Sequence, residues 1–252
     1  VDLETARALA DINRAFYRDA AHEFSATRQE AWPGWSRVLE FLRPGDAPLA
    51  VLDVGCGNGR LAAFLDGALA APFRYVGVDA SGPLLDRARA QPLRRARARW
   101  VQADWLEQPP EQALRPGPFD LVALFGVLHH VPGFERRRAL LAASSQRLAP
   151  GGLLALTCWQ FESEPRLRRR ALSWHDYNAD AARPVAPDQL EPGDFLLRWG
   201  PPERQRLRYC HFADADEAER WTRDLPLRPV ACFESDGREG RLNRYLLLRA
   251  RT

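Results

Sequence analysis

The stretch Val51-Leu52-Asp53-Val54-Gly55-Cys56-Gly57-Asn58-Gly59 decides the fold of this chain. An apolar run leads into a glycine-rich turn, and a helical pattern follows from Arg60. Glycine in such a turn lets the backbone approach a ligand closely and adopt dihedrals closed to other residues. A dinucleotide fingerprint needs G-x-G-x-x-G, whose third glycine permits close helix–strand packing. Here the glycines fall as G-x-G-x-G, and Arg60 stands where the third would be. The turn therefore cradles a ligand of another kind.

Outward from this turn, short apolar runs alternate with helical segments. Strands are expected over 50–54, 74–78, 99–102, 121–125 and 153–158, with helices over 60–70, 83–90 and 134–148. Such alternation predicts an α/β fold with a parallel sheet covered on both faces. Ahead of it, 3–21 has the spacing of an amphipathic helix. A polar stretch follows over 22–30, and a second helix opens at Trp32-Pro33 and stops before Arg43-Pro44-Gly45. Residues 161–206 are rich in proline, arginine and acids and read as an insertion or lid. A strand over 207–212, a helix over 214–224 and strands over 228–233 and 242–248 complete the chain. The organisation is one domain over 1–252: a helical cap (1–48), a binding core (49–160), the insertion (161–206) and C-terminal helix and strands (207–252).

The glycine turn resembles the first motif of class I S-adenosylmethionine-dependent methyltransferases. That resemblance implies a Rossmann-like, seven-stranded, mostly parallel sheet with an antiparallel last strand. It also implies S-adenosylmethionine as cofactor and S-adenosylhomocysteine as product. Further stations fit. The second strand ends in Val78-Asp79-Ala80, where an acid can accept both ribose hydroxyls. The third ends in Gln102-Ala103-Asp104-Trp105, where an acid can accept the adenine amino proton with Trp105 beside the ring. The fourth leaves through Phe125-Gly126-Val127-Leu128-His129-His130, and Pro150-Gly151-Gly152 turns into the fifth. The cofactor set is thus Asp53, Gly55, Cys56, Gly57, Asn58, Gly59, Asp79, Ala80, Ala103, Asp104, Trp105 and Phe125, with Tyr17 and Arg28 covering it from the N-terminal side.

A narrower resemblance spans nearly the whole chain. Phe24-Ser25, Thr27-Arg28 and Trp32-Pro33 are similar to the signature of the tRNA wobble-uridine carboxymethyl methyltransferases. His129-His130, Glu135-Arg136-Arg137, Cys158-Trp159, the run from Gly193 to Trp199, Arg208-Tyr209-Cys210-His211 and Asn243 extend the match. The sequence departs from that family at Gln29, Cys210 and Leu242, and its insertion is shorter and free of lysine. The resemblance implies methyl transfer to a carboxylate on a modified uridine of tRNA. Some members work with a small zinc-binding activator protein, a possible partner here too.

A carboxylate acceptor is already ionised near neutrality, since its pKa lies near ~4, so no general base is required. Catalysis then comes from alignment and exclusion of water. His129 and His130 are read as positioning groups, with His130 preferred. Arg28, whose planar fork can hold two oxygens, is the expected carboxylate holder. Trp159 and Trp199 are candidate aromatic walls.

Composition narrows the field. The chain has 252 residues and a net charge of +3, with no methionine. All 36 basic residues are arginine, which excludes lysine Schiff-base chemistry and a P-loop lysine. Bulk charge does not mark a strongly basic nucleic-acid protein, so position matters more. Arg94, Arg95, Arg97 and Arg99 fall before the third strand, away from the strand-end edge. Arg136, Arg137 and Arg138, and Arg166, Arg168, Arg169 and Arg170, fall on it and are expected to meet tRNA phosphates. Cys56, Cys158, Cys210 and Cys232 are scattered, so neither a metal site nor a disulfide framework is expected. The apolar run 121–128 is far below membrane-span length. A cytoplasmic location is expected, and the absence of an initial methionine suggests a trimmed or processed chain. Two rivals stay open: a small-molecule methyltransferase acting on a carboxylic acid or natural product, and a non-catalytic partner that retains the fold. The residues do not speak to oligomeric state.

Overall fold

The computed structural model describes residues 1–43 and 47–251. The Pro44-Gly45 helix stop lies outside them. The N-terminal helix α1 covers Leu3–Ala26 and is capped by Asp2, whose carboxylate accepts the Thr5 N–H at 2.7 Å. It runs past the expected end at 21. Its inner face simply continues through Ala20, Ala21 and Ser25, so the polar residues among them are its outer face rather than a loop. Helix α2 covers Pro33–Leu39.

The core then alternates: β1 (Ala50–Val54), α3 (Arg60–Ala68), β2 (Phe73–Asp79), α4 (Gly82–Arg89), β3 (Ala96–Gln102), the single turn α5 (Pro110–Ala113), β4 (Phe119–Leu124), α6 (Phe134–Ser145) and β5 (Leu148–Trp159). Strand β3 starts earlier than expected because Ala96, Ala98 and Trp100 alternate inward against exposed Arg97 and Arg99. Those two arginines therefore belong to the strand, not to the segment before it.

Residues 161–206 are more ordered than a lid. Short helices α7 (Pro165–Arg168) and α8 (Trp174–Asp180) flank β6 (Ala171–Leu172) and β7 (Asp194–Trp199). With β8 (Arg206–His211) they form a separate antiparallel sheet of order β6-β7-β8. The insertion thus extends to His211. Its inner residues Leu196 and Tyr209 pack with Leu9 of α1 and Val185, so the accessory sheet and the N-terminal helix share one small core. The weak periodicity follows from strands too short to show alternation.

Helix α9 (Ala215–Thr222) and strands β9 (Leu227–Ser235) and β10 (Asn243–Ala250) close the fold. The main sheet has seven strands in the order β3-β2-β1-β4-β5-β10-β9. Strand β10 is antiparallel to both of its neighbours, and the pairs among β1 to β5 are parallel. Two apolar clusters cover the two faces, one around Leu52, Val54 and Leu124, the other around Val51, Tyr75 and Leu121. The carboxyl ends of β1 to β5 all open on one side, and the order β3-β2-β1-β4-β5 lays out the site along that edge.

Candidate active site

The glycine turn leaves β1 with Gly55 at φ +75° and Gly57 at φ +54°. A Cβ on Gly55 would sit 2.7 Å from Val127, so that position must be glycine on both counts. A Cβ on Gly57 would meet nothing within 4 Å, which leaves an open cradle above the turn. The Gly57 N–H donates to Asp79 Oδ2 at 2.8 Å, and the Ser81 N–H donates to Oδ1 at 2.8 Å. Asp79 thereby stands fixed at the end of β2, with burial pushing its carboxyl pKa up against these bonds. Gly59 caps α3. Asn58 donates to Ser25 Oγ at 2.8 Å and to the Arg28 carbonyl at 3.3 Å, tying the turn to the end of α1. Cys56 is buried beneath it.

Asp53, one turn deeper, is buried and accepts the Tyr75 hydroxyl, and burial pushes its pKa up to about 7. The Ala103 N–H donates to the Asp79 carbonyl at 3.1 Å, and the Ala80 carbonyl accepts from Gln102 Nε2 at 3.1 Å. At the end of β3, Asp104 takes the Leu106 N–H at 2.9 Å on Oδ1. Its Oδ2 takes two nitrogens of Arg14, at 2.9 and 2.7 Å. Arg14 was not anticipated. Its signal is its place beside Asn13, one turn of helix before Tyr17, on a face of α1 that also presents Ala10 to the cleft. Trp105, Phe125 and the residues above line one cleft of about 1500 Å³.

Past β4 the two histidines part company. His130 Nδ1 lies 3.0 Å from the Tyr209 carbonyl and 3.2 Å from Asn13 Nδ2, and its Nε2 meets the Tyr17 hydroxyl at 2.8 Å. Both ring nitrogens are therefore taken up inside the protein, and burial drives its pKa down to about 3. His130 nonetheless lines the cleft and is the more exposed of the two histidines. His129 has no hydrogen-bond partner on Nδ1 among the described residues, and it lines the cleft. Burial, then His130, Arg208 and Arg28, hold it neutral. His129 packs on Trp159, and His130 fixes Tyr17, whose own pKa burial raises to about 12.

Around them stand aromatic walls. Trp159, at the end of β5, lies 5.1 Å from the His129 ring, and Trp199 meets Phe16 edge-on at 5.5 Å. Arg28 stacks on Phe24 at 3.7 Å, and its guanidinium donates to Thr27 Oγ1. Burial, then the charge of Arg208, lowers its pKa to about 10. Arg208 itself, noted in the sequence only as part of a motif, is 5% exposed and lies 5.2 Å from the Phe16 ring and 5.3 Å from Trp159. Neither arginine has a carboxylate partner among the described residues.

The phosphate-contact expectation divides. Arg137 is fully buried and paired with Glu191 and Glu217, so it cannot meet RNA. Arg136 donates to the Val1 carbonyl at 3.1 Å, and Arg138 pairs with Asp224. Of the α6 triplet only Arg137 is spent inside the fold; Arg136 and Arg138 stay half-exposed. Arg166 and Arg170 line the cleft rim, and Arg168 and Arg169 beside them are exposed.

Comparison with known proteins agrees with this geometry. Residues 52–154 match the family described as "Methyltransferase domain". The mouse tRNA (carboxymethyluridine(34)-5-O)-methyltransferase ALKBH8 is 30% identical over 148 residues, which are 59% of this chain. The chain spans only 20% of that protein's length. A SAM-dependent methyltransferase from Methanosarcina mazei superposes with a TM-score of 0.63 at 19% identity, covering 88% of this chain and 99% of that one. The DhpI–SAM–HEP complex superposes with a TM-score of 0.60 at 21% identity, covering 96% and 97%. The chain thus has the fold of these methyltransferases, and residues 52–154 within it match a methyltransferase domain. Among the described residues no helix is long and apolar enough to cross a membrane.

Proposed function

We propose that this chain is an S-adenosylmethionine-dependent methyltransferase that esterifies a carboxylate, and that the carboxylate is the carboxymethyl group of a modified wobble uridine in tRNA. One observation carries the reading. The cleft holds two guanidiniums without acid partners among the described residues, Arg28 from the segment tied to the glycine turn and Arg208 beside Trp159, and its histidines are held neutral. That arrangement suits a nucleophile that arrives negatively charged and needs no base. The likeness of 148 residues to a carboxymethyluridine methyltransferase supports the choice of acceptor.

The open cradle above Gly57, with Asp79 beside it, has the form that S-adenosylmethionine requires. Gly55, Gly57 and Asn58 would hold the amino-acid end, Asp79 the ribose, and Asp104 and Trp105 the adenine. When bound, the cofactor supplies a methyl group on a sulfonium; a carboxylate oxygen forms the ester while the sulfur keeps the electron pair, and no proton moves. Tyr17, fixed by His130, covers the centre from α1 and excludes water. His129 positions the acceptor without competing for a proton. Trp199 offers a face on which an unstacked base can rest. Arg166, Arg168, Arg169 and Arg170 would meet the phosphates.

The test is methylation of purified tRNA with labelled S-adenosylmethionine, followed by mild alkali. A methyl ester releases its label as methanol, whereas methylated nitrogen or ether oxygen retains it. Nucleosides from cells lacking the gene should accumulate the free acid. An alkali-stable product would refute the carboxylate. An unchanged nucleoside profile, with labelling of a small acid instead, would move the acceptor from tRNA to a small molecule.

A further inference from the structure

We infer that the two unpaired arginines serve two different carboxylates: Arg28 that of the cofactor, and Arg208 that of the acceptor. The inference rests on the carboxylate reading above and assigns its anion-binding residue.

The order of the strands supplies the argument. Along the edge β3-β2-β1-β4-β5, Asp104 stands at β3, Asp79 at β2 and the glycine turn at β1. A cofactor whose adenine, ribose and amino acid follow that line ends over the β1 turn. The backbone of Arg28 is tied there, since its carbonyl and the nearby Ser25 hydroxyl accept from Asn58, and its guanidinium lies on the Phe24 ring and lines the cleft. Arg208 lies further along, at β4 and β5. Trp159 stands within 5.3 Å of its guanidinium, and the buried His129 ring packs on that same tryptophan at 5.1 Å. Arg208 reaches the cleft from β8 of the accessory sheet.

Burial makes the case stronger. Arg208 is 5% exposed, is surrounded by the rings of Phe16, Phe24 and Trp159, and has no hydrogen-bond partner among the described residues. A buried, unpaired cation costs folding free energy, and an anionic ligand recovers it. Arg28 and Arg208 both approach the Phe24 ring and their charges repel, so each gains from an anion of its own. The aromatic walls also raise the value of a charge-assisted pair by excluding water.

The test compares Arg208→Met and Arg28→Met with the unaltered chain, each as the full-length protein. Methionine fills similar volume and removes the charge. Affinity for S-adenosylhomocysteine is read by calorimetry. With that ligand bound, affinity is then read for an anticodon stem-loop carrying 5-carboxymethyluridine or its neutral carbamoylmethyl counterpart. Arg28→Met should weaken S-adenosylhomocysteine about 10- to 100-fold and keep the acid-over-amide preference. Arg208→Met should keep S-adenosylhomocysteine affinity and lose that preference. It should also raise the thermal midpoint by roughly 2–4 °C, since a costly buried charge is gone; a purely structural arginine would lower it. Retention of the preference in Arg208→Met overturns the assignment. If the unaltered chain shows no preference, the tRNA reading fails on its own. Acetate titration followed by tryptophan fluorescence then decides: acetate binding that vanishes in Arg208→Met supports the assignment, and none in the unaltered chain overturns it.

Discussion

Two buried arginines on neighbouring elements have opposite surroundings. Arg137 on α6 is fully buried and gives its terminal nitrogens to Glu191, Glu217 and the Val131 carbonyl. Around it His211 sits between Asp194 at 2.8 Å and Glu217 at 3.0 Å, and Tyr209 donates to Asp194 at 2.6 Å. Arg208 on β8, three residues before His211, is nearly as buried and has no such partners. The same side chain thus closes a network in one place and leaves a charge open in the other. The first joins the accessory sheet to α6 and α9; the second faces the cleft. Burial alone does not separate a structural arginine from a binding one, but the presence of acid partners does.

The largest test breaks the paired side. Arg137→Met leaves Glu191 and Glu217 without their cation and should cost about 3–5 kcal/mol in urea unfolding. Equal losses from Arg137→Met and Arg208→Met would erase the contrast.

The next test uses pH. The pKa of His211 is raised by Asp194 and then Glu217, against burial, so its charged form stabilises the fold. That contribution is full below the ordinary histidine value of 6.5 and is lost as pH rises through the elevated folded value. His130 is the reverse. Its pKa is depressed from 6.5 to about 3, so its neutral form stabilises the fold above 6.5, and stability is lost as pH falls toward 3. Urea midpoints across pH should therefore flatten on the alkaline side in His211→Gln and on the acid side in His130→Asn.

Smaller effects sharpen the cleft side. Tyr17→Phe removes the hydroxyl that meets His130 Nε2 and should cost about 1 kcal/mol of stability. If stability is unchanged, His130 is not held as described. Smallest of all, charge reversal at the exposed Arg168 and Arg169 should leave stability within about 0.5 kcal/mol. The salt dependence of tRNA binding should nonetheless become shallower by about 1 in slope per lost phosphate contact. An unchanged slope would remove this segment from the RNA footprint.

Much of the strand-end layout was legible in the chain. Gly55, Asp79 and Asp104 fall at three successive strand ends, and local pattern places strand ends well. Only the order β3-β2-β1-β4-β5 had to come from the fold, and the parallel topology restricts it strongly. The acceptor end was less legible. Arg136, Arg137 and Arg138 read as a phosphate-binding helix face, and pairing with Glu191 and Glu217 buries Arg137. The nitrogens of His130 are engaged by Tyr17 and Tyr209, 113 and 79 residues away, which no local pattern shows.

The sequence by itself determined a ligand cradle and its acids, because glycine dihedrals and strand periodicity are local properties of the backbone. Tertiary structure alone decided which charges are free to bind. Whether an arginine meets an acid or an aromatic ring depends on residues distant in the chain, and burial sets the cost of leaving it unpaired.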